Sequence, residues 1–239
     1  MNIDVAFTPD EVTSSDLVHS VVVVVDVLRA TSTIVEALAN GAKMVVPVPS
    51  TDEAVRIAQN IGRGDVLLCG ERRSLPIEGF DLGNSPREFT AERVAGKTLV
   101  MTTTNGTPAL ALSASARRTL IASFLNLDAV ADALVADGGP VIILGAGRER
   151  RFALEDAVCA GALVNRVTSR VAEEPKLNDT AVAAAMLAQA EEADLPDLLR
   201  NTAAGRQLID AGLGDDIALC AMLNRHAIVP ELRDRQITL

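Results

Sequence analysis

Five consecutive valines, residues 21–25, run without a polar interruption into Asp26, Val27, Leu28 and Arg29. A strand with one wet face alternates apolar and polar residues. An unbroken β-branched run instead reads as a strand covered on both faces, as in the middle of a parallel sheet. Just past it, Thr31, Ser32 and Thr33 open an apolar stretch that Gly41 closes. Thr33 and Glu36 have capping-box spacing, and Gly41 suits a left-handed C-terminal position, so the spacing predicts strand, polar turn and helix. In open α/β sheets, ligand chemistry collects beyond the carboxyl ends of such strands. Taken alone, Asp26 and Arg29 read more simply as a local ion pair or as partners of the helix start.

The same alternation recurs. Strands are expected over residues 3–7, 21–25, 43–48, 65–69, 97–101, 119–122 and 140–144. Helices are expected over 33–40, 50–61, 109–116, 127–136 and 154–171, and another from Ser85, where an N-cap, a first-turn proline and Glu88 combine. This order predicts an α/β fold, a mostly parallel central sheet with helices on both faces, that is an α/β/α sandwich. The helical C-terminal third reads as helices over 179–193, 196–199, 202–211 and 215–223, with a last strand over 228–232 returning to the sheet. One domain, residues 1–239, is expected, with an alternating α/β core over 1–172 and a mainly helical extension over 173–239 that is an added layer or a lid.

Composition narrows the function. A formal net charge of −10 argues against nucleic acid or an anionic membrane as a partner, because both need a basic face. With no Trp and no Tyr, stacking onto bases is not expected either. An anionic substrate would need local positive groups, and Arg29, Arg72, Arg73 and the run Arg148, Glu149, Arg150, Arg151 are the candidates, although an Arg-rich turn is as often a solvated loop. Cys69, Cys159 and Cys220 sit far apart in apolar surroundings and read as reduced core residues. No apolar run reaches the ~18 residues of a membrane span, and no signal-like segment leads the chain, so a cytoplasmic location is expected. The Ala-rich C-terminal helices could bury against a second copy as a homodimer.

Four polar clusters follow four expected strands: Asp26 to Thr31, Glu71 to Ser85, Thr102 to Thr107, and Gly145 to Asp156. Expected helix starts at Ser85 and near Asn105 present free N–H groups, and Gly83 and Gly106 allow close approach of an anion, so phosphate fits there. Simple helix capping explains Ser85 or Thr107 taken singly. Asp26, Glu71, Glu78, Asp81, Glu155 and Asp156 are carboxylates without His or Cys companions, an oxygen set that suits Mg²⁺ rather than Zn²⁺. Such an ion would offset repulsion between clustered acids and a phosphate. Competing motifs fail. Arg150 stands where a dinucleotide fingerprint after Gly145 and Gly147 needs its third glycine, no GxxxxGK[ST] occurs, and Leu28 replaces the second Asp of a DxDx[TV] phosphatase.

Taken together, VVVVVDVLRATSTIVEALANGA, GER followed by GFDLGNSP, MTTTNGT and LEDAVCAG resemble, in order and over most of the chain, the 2-phosphosulfolactate phosphatase family; GLGDDIALC resembles its ending. The resemblance implies an α/β sandwich and a Mg²⁺-dependent phosphatase that releases sulfolactate, a step of coenzyme M biosynthesis in archaea. The family's patterned positions fall on Asp26, Arg29, Thr31, Glu71, Asp81, Asn84, Ser85, Thr103, Asn105, Gly106, Glu155 and Asp156. The charged loop Arg148 to Arg151 departs from the family's pattern.

The expected function is thus a Mg²⁺-dependent phosphomonoesterase acting on a small anionic phosphoester. Asp26, Arg29 and Asp81 are the expected catalytic residues. Asp26, Glu71, Asp81, Glu155 and Asp156 are the expected metal ligands. Thr31, Asn84, Ser85, Thr103, Thr104, Asn105, Gly106 and Arg148 are expected to bind substrate. The alternatives are a non-catalytic binder of a phosphorylated acid and a phosphatase for another phosphoester.

Overall fold

The computed structural model describes residues 1–61, 64–191 and 194–239. Its strands are β1 (Asn2–Ala6), β2 (Val21–Val25), β3 (Met44–Pro47), β4 (Val66–Arg72), β5 (Leu75–Pro76), β6 (Thr98–Thr102), β7 (Arg118–Ala122), β8 (Val141–Gly145), β9 (Lys176–Leu177), β10 (Glu231–Arg233) and β11 (Gln236–Thr238). Its helices are α1 (Ser14–Leu17), α2 (Ala30–Ala39), α3 (Thr51–Ile61), α4 (Ala91–Val94), α5 (Gly106–Ser113), α6 (Leu127–Asp137), α7 (Leu154–Thr168), α8 (Asp179–Glu191), α9 (Leu195–Asn201), α10 (Ala203–Asp210) and α11 (Asp215–Cys220).

The strands form one sheet in the order β5-β4-β6-β3-β11-β10-β7-β2-β8-β1-β9. One parallel group comprises β7, β2, β8 and β1, and a second comprises β3, β6 and β4. The C-terminal hairpin β10–β11 lies between them, antiparallel to β7 on one side and to β3 on the other. Three antiparallel ladders in succession leave the two groups opposite in ladder sense. The right-handed strand twist accumulates to roughly a hundred degrees over the five steps from β6 to β2, which lets the carboxyl ends of both groups meet in one region.

The valine run is the centre of this sheet, and all five side chains are fully buried. Val21, Val23 and Val25 pack with Leu127, Val130, Leu163, Ala184, Leu199 and Ile217, whereas Val22 and Val24 pack with Ile34, Leu38, Leu99 and Leu110. Burying each such side chain contributes roughly 1.5–3 kcal/mol. The C-terminal helices are therefore a covering layer on one face of the sheet. Cys69, Cys159 and Cys220 are buried thiols, and burial pushes each of them above the usual cysteine range. Among the described residues no helix is long and apolar enough to cross a membrane.

Several boundaries differ from expectation for local reasons. Helix α2 starts at Ala30 rather than Thr33, because Asp26 accepts the Ala30 amide on its carboxylate (3.2 Å) and the Thr31 amide on its carbonyl (2.9 Å). The Thr33 hydroxyl, freed from capping, donates to the carbonyl of Asn84 at 2.9 Å. The helix expected from Ser85 is a single 3-10 turn, Pro86–Glu88. Both of its expected caps are engaged elsewhere: the Ser85 hydroxyl donates to Asp216 and the Glu88 carboxylate accepts the Gly83 amide. The last strand begins at Glu231 and belongs to a hairpin, and β5 and β9 have no counterpart in the sequence reading. The expected helix end at Ala193 lies outside the described residues.

Candidate active site

A cleft of about 640 Å³, its open mouth included, lies where the strand-end loops of both parallel groups converge. The loop after β2 supplies Asp26, Leu28 and Arg29; the β4–β5 hairpin and the loop beyond it supply Glu71, Arg73, Ser74 and Asn84. Thr103, Thr104 and Asn105 come from the β6–α5 turn, and Gly147, Arg148, Glu149, Glu155 and Asp156 from the β8–α7 region. Helix α10 closes the remaining side with Ala204, Gln207 and Leu208.

The carboxylates here also tie the loops together. Asp156 accepts the Val27 amide at 2.9 Å and the Gly147 amide at 3.1 Å, joining the ends of β2 and β8. Glu71 accepts the Thr104 amide at 2.7 Å and the Ser74 amide at 2.8 Å, joining the ends of β4 and β6. The two groups are linked by Asn105, whose Oδ1 accepts the Glu149 amide at 3.0 Å, and by Arg29, which donates to the Ser74 carbonyl at 2.9 Å. Arg73 and Ser74 form a two-residue hairpin loop with φ of 53° and 69°, so this backbone is held in a left-handed conformation at the cleft wall. Gly106 packs against Asp26: a Cβ there would lie 2.6 Å from the Ala30 Cβ and 2.8 Å from Asp26 Oδ2.

Concentrating acids in a dry place raises their proton affinity. Asp26 is 6% exposed, and burial, followed by the charges of Glu71 and Glu155, pushes its pKa up to about 7, against the pull of the Ala30 amide and Arg29. Burial also drives Asp156 well above the usual carboxylate range, with Asp26 and Glu155 adding to it. Glu155 is raised by burial, an effect opposed by its own backbone amide, the Thr202 hydroxyl and the charge of Arg148. Counter-charge comes from Arg29, Arg73 and Arg148, and the N-termini of α2, α5 and α7 meet the same cleft.

Most of the residues singled out from sequence meet here. Asp26, Arg29, Glu71, Asn84, Thr103, Thr104, Asn105, Arg148, Glu155 and Asp156 line the cleft. Thr31, Ser85 and Gly106 lie behind its wall: the Thr31 hydroxyl accepts the Asp26 amide and donates to the Asp26 carbonyl, and Ser85 bonds to Asp216. Asp81 stands apart from them. It is exposed, outside the cleft, and its carboxylate accepts the Leu68 amide at 2.8 Å, because the loop turns it back onto β4. Glu78 is exposed and also stands apart. Arg150 pairs with Asp10 on the surface, so of the basic run only Arg148 faces the cleft. Sequence reading missed Ser74, Gln207 and Asp216. The paired acids after Gly214, opening a short apolar helix, were the one signal for Asp216.

The donors available to a cation are oxygens, among them those of Asp26, Glu71, Glu149, Glu155 and Asp156, with Asn84 Oδ1, a buried atom without a hydrogen-bond partner. This set, carrying more negative charge than its arginines offset, fits a hard divalent ion such as Mg²⁺. Among the described residues no three His, Cys, Asp or Glu side chains are arranged to hold a metal ion together, so at most two of these carboxylates would ligate it and water and substrate oxygens would supply the rest.

The family model described as 2-phosphosulpholactate phosphatase matches residues 6–235. A protein of Symbiobacterium thermophilum named probable 2-phosphosulfolactate phosphatase is 41% identical over 227 residues, covering 95% of this chain and 97% of its own. A protein of the same name from Clostridium beijerinckii is 37% identical over 238 residues, 100% of this chain and 99% of its own. A third, from Caldanaerobacter subterraneus subsp. tengcongensis, is 40% identical over 227 residues, 95% of this chain and 93% of its own. The motifs, the cleft they build and the length of the match lead to one conclusion: this chain belongs to the 2-phosphosulfolactate phosphatase family.

Proposed function

We propose that this protein is a Mg²⁺-dependent phosphomonoesterase that hydrolyses 2-phosphosulfolactate, or a similar phosphorylated 2-hydroxy acid, to the free hydroxy acid and phosphate. The observation that carries the reading is the meeting, in one cleft, of five carboxylates with three arginines and three helix N-termini. Asp26 and one of its neighbours Glu71, Glu155 and Asp156, with Asn84 Oδ1, are the groups that would hold the ion. The ion, when bound, would neutralise the ester's phosphate and polarise its P–O bond.

The chain's own groups account for the rest. Arg29 and the amides of the β6–α5 turn would receive the equatorial oxygens of the transferring phosphoryl group, whose charge is spread over them in the transition state. Asp26 Oδ1 is engaged by the Ala30 amide, which leaves Oδ2 as the atom that would face the ion. Arg148, held by Gln207 at the opposite rim, would face the acid group of the substrate. The test is phosphate release from 2-phosphosulfolactate and a panel of phosphorylated 2-hydroxy acids, with Mg²⁺ and with a chelator. Mg²⁺-dependent release is expected. Tight binding across the panel without any release would instead make the protein a binder of phosphorylated acids.

A further inference from the structure

The C-terminal layer places a charged side chain behind the cleft wall. Asp216, in the first turn of α11, is 1% exposed. Its Oδ2 accepts from Arg29 Nη1 at 2.7 Å and its Oδ1 accepts from the Ser85 hydroxyl at 2.6 Å. Arg29 Nη2 donates to the Ser74 carbonyl at 2.9 Å, so the guanidinium, itself 3% exposed, is gripped from two directions. The pair is asymmetric: Arg29 lines the cleft and Asp216 does not. A guanidinium has five N–H donors in a fixed plane. With that plane set by two acceptors, one of them buried, the remaining donors have one orientation, and a plane that cannot turn is what stabilisation of developing charge requires. Ser85 adds a second function, because fixing it also fixes the adjacent Asn84, whose Oδ1 is a buried atom without a partner.

We propose that Asp216 is a positioning residue for phosphoryl transfer: it locks the Arg29 guanidinium, and through Ser85 the Asn84 segment, into the orientation that meets the phosphate oxygens. The C-terminal helical layer is thereby part of the active site rather than a cover for the sheet alone. This inference rests on the phosphatase reading, and its test separates the two.

Asp216→Asn keeps the side chain's volume. It is expected to lower kcat/KM for 2-phosphosulfolactate by about a hundredfold, at least tenfold of it in kcat, and to weaken orthophosphate binding by about tenfold in calorimetry. Ser85→Ala, which leaves the ion pair in place, should cost a smaller, several-fold loss. The decisive comparison is the double variant with Arg29→Gln: if Asp216 acts through Arg29, the double variant is no slower than Arg29→Gln alone. A merely structural role would make the losses additive and would track the melting temperature, which is measured for every variant. Wild-type kcat in Asp216→Asn, or additive losses in the double variant, overturns the proposal. Absence of wild-type turnover overturns the phosphatase reading alone, since the orthophosphate comparison still reads the Arg29 orientation. Orthophosphate binding that is absent in the wild type, or unchanged in Asp216→Asn, overturns the positioning role.

Discussion

Glu71 accepts the backbone amide of Thr104 at 2.7 Å, although the two residues close different strands and lie 33 positions apart. Its other oxygen accepts the Ser74 amide at 2.8 Å. One carboxylate therefore holds two walls of the cleft and adds to the charge inside it. A glutamine offers a single acceptor oxygen, so Glu71→Gln leaves one of these amides facing an NH₂ group. Urea unfolding should show a loss of about 1 kcal/mol, the net worth of one part-buried hydrogen bond. Unchanged stability would mean that the Arg73–Ser74 hairpin is held by other contacts.

Asp26 makes stability depend on pH in an unusual direction. Its pKa rises from 3.8 to about 7 on folding, so between those values the native state holds a proton that the unfolded chain lacks. Its contribution is complete below pH 3.8 and is lost as pH climbs to about 7, a total on the order of 4 kcal/mol. In chelator-treated protein, Asp26→Asn removes this dependence. The melting temperature of the variant relative to wild type should therefore increase between about pH 4 and about pH 7 and level off above that. A constant difference across that range would contradict the raised proton affinity.

Cation binding should follow the opposite slope. Carboxylates ligate when deprotonated, so Mg²⁺ is expected to stabilise the protein more at pH 8 than at pH 5.5. At about a hundred times its dissociation constant, a ligand adds roughly 2.7 kcal/mol, which in a chain of this size raises the melting temperature by several degrees. Differential scanning fluorimetry of wild type and Asp26→Asn, with and without Mg²⁺, checks this. An equal shift at both pH values, or one that survives Asp26→Asn intact, would locate the ion elsewhere.

Gly106 has no room for a methyl group. In Gly106→Ala the new Cβ would meet the Ala30 Cβ at 2.6 Å and Asp26 Oδ2 at 2.8 Å, so the β6–α5 turn must back away from Asp26. A stability loss of about 1–3 kcal/mol is expected from overpacking, with a drop in kcat of about a hundredfold or more from the displaced turn. Near-normal kcat would show that the distance between Asp26 and this turn is not critical.

Asp81 provides the contrast. Its carboxylate is exposed and bonded to the Leu68 amide, outside the cleft. Asp81→Asn should keep phosphate release within about twofold of wild type, whereas Asp26→Asn lowers it by orders of magnitude, on the order of a thousandfold. Comparable losses in both variants would return Asp81 to the catalytic set.

What could be read from the chain alone was whatever is encoded locally. An uninterrupted valine run can only be a strand buried on both faces, and polar clusters closing four such strands mark where ligand chemistry gathers, so Asp26, Arg29, Asn84, Asn105, Glu155 and Asp156 were legible as a group. Local pattern says nothing about which distant partner competes for a side chain. Ser85 reads as a helix cap until Asp216, 131 residues away, takes its hydroxyl, and Asp81 reads as a ligand until its loop folds back onto β4. The C-terminal hairpin inserted between β3 and β7, the two parallel groups it separates and the α11 carboxylate behind Arg29 are likewise products of tertiary structure. Periodicity and turn chemistry act over a few residues, whereas sheet order, twist and the pairing of buried charges are set by which distant surfaces cover one another best.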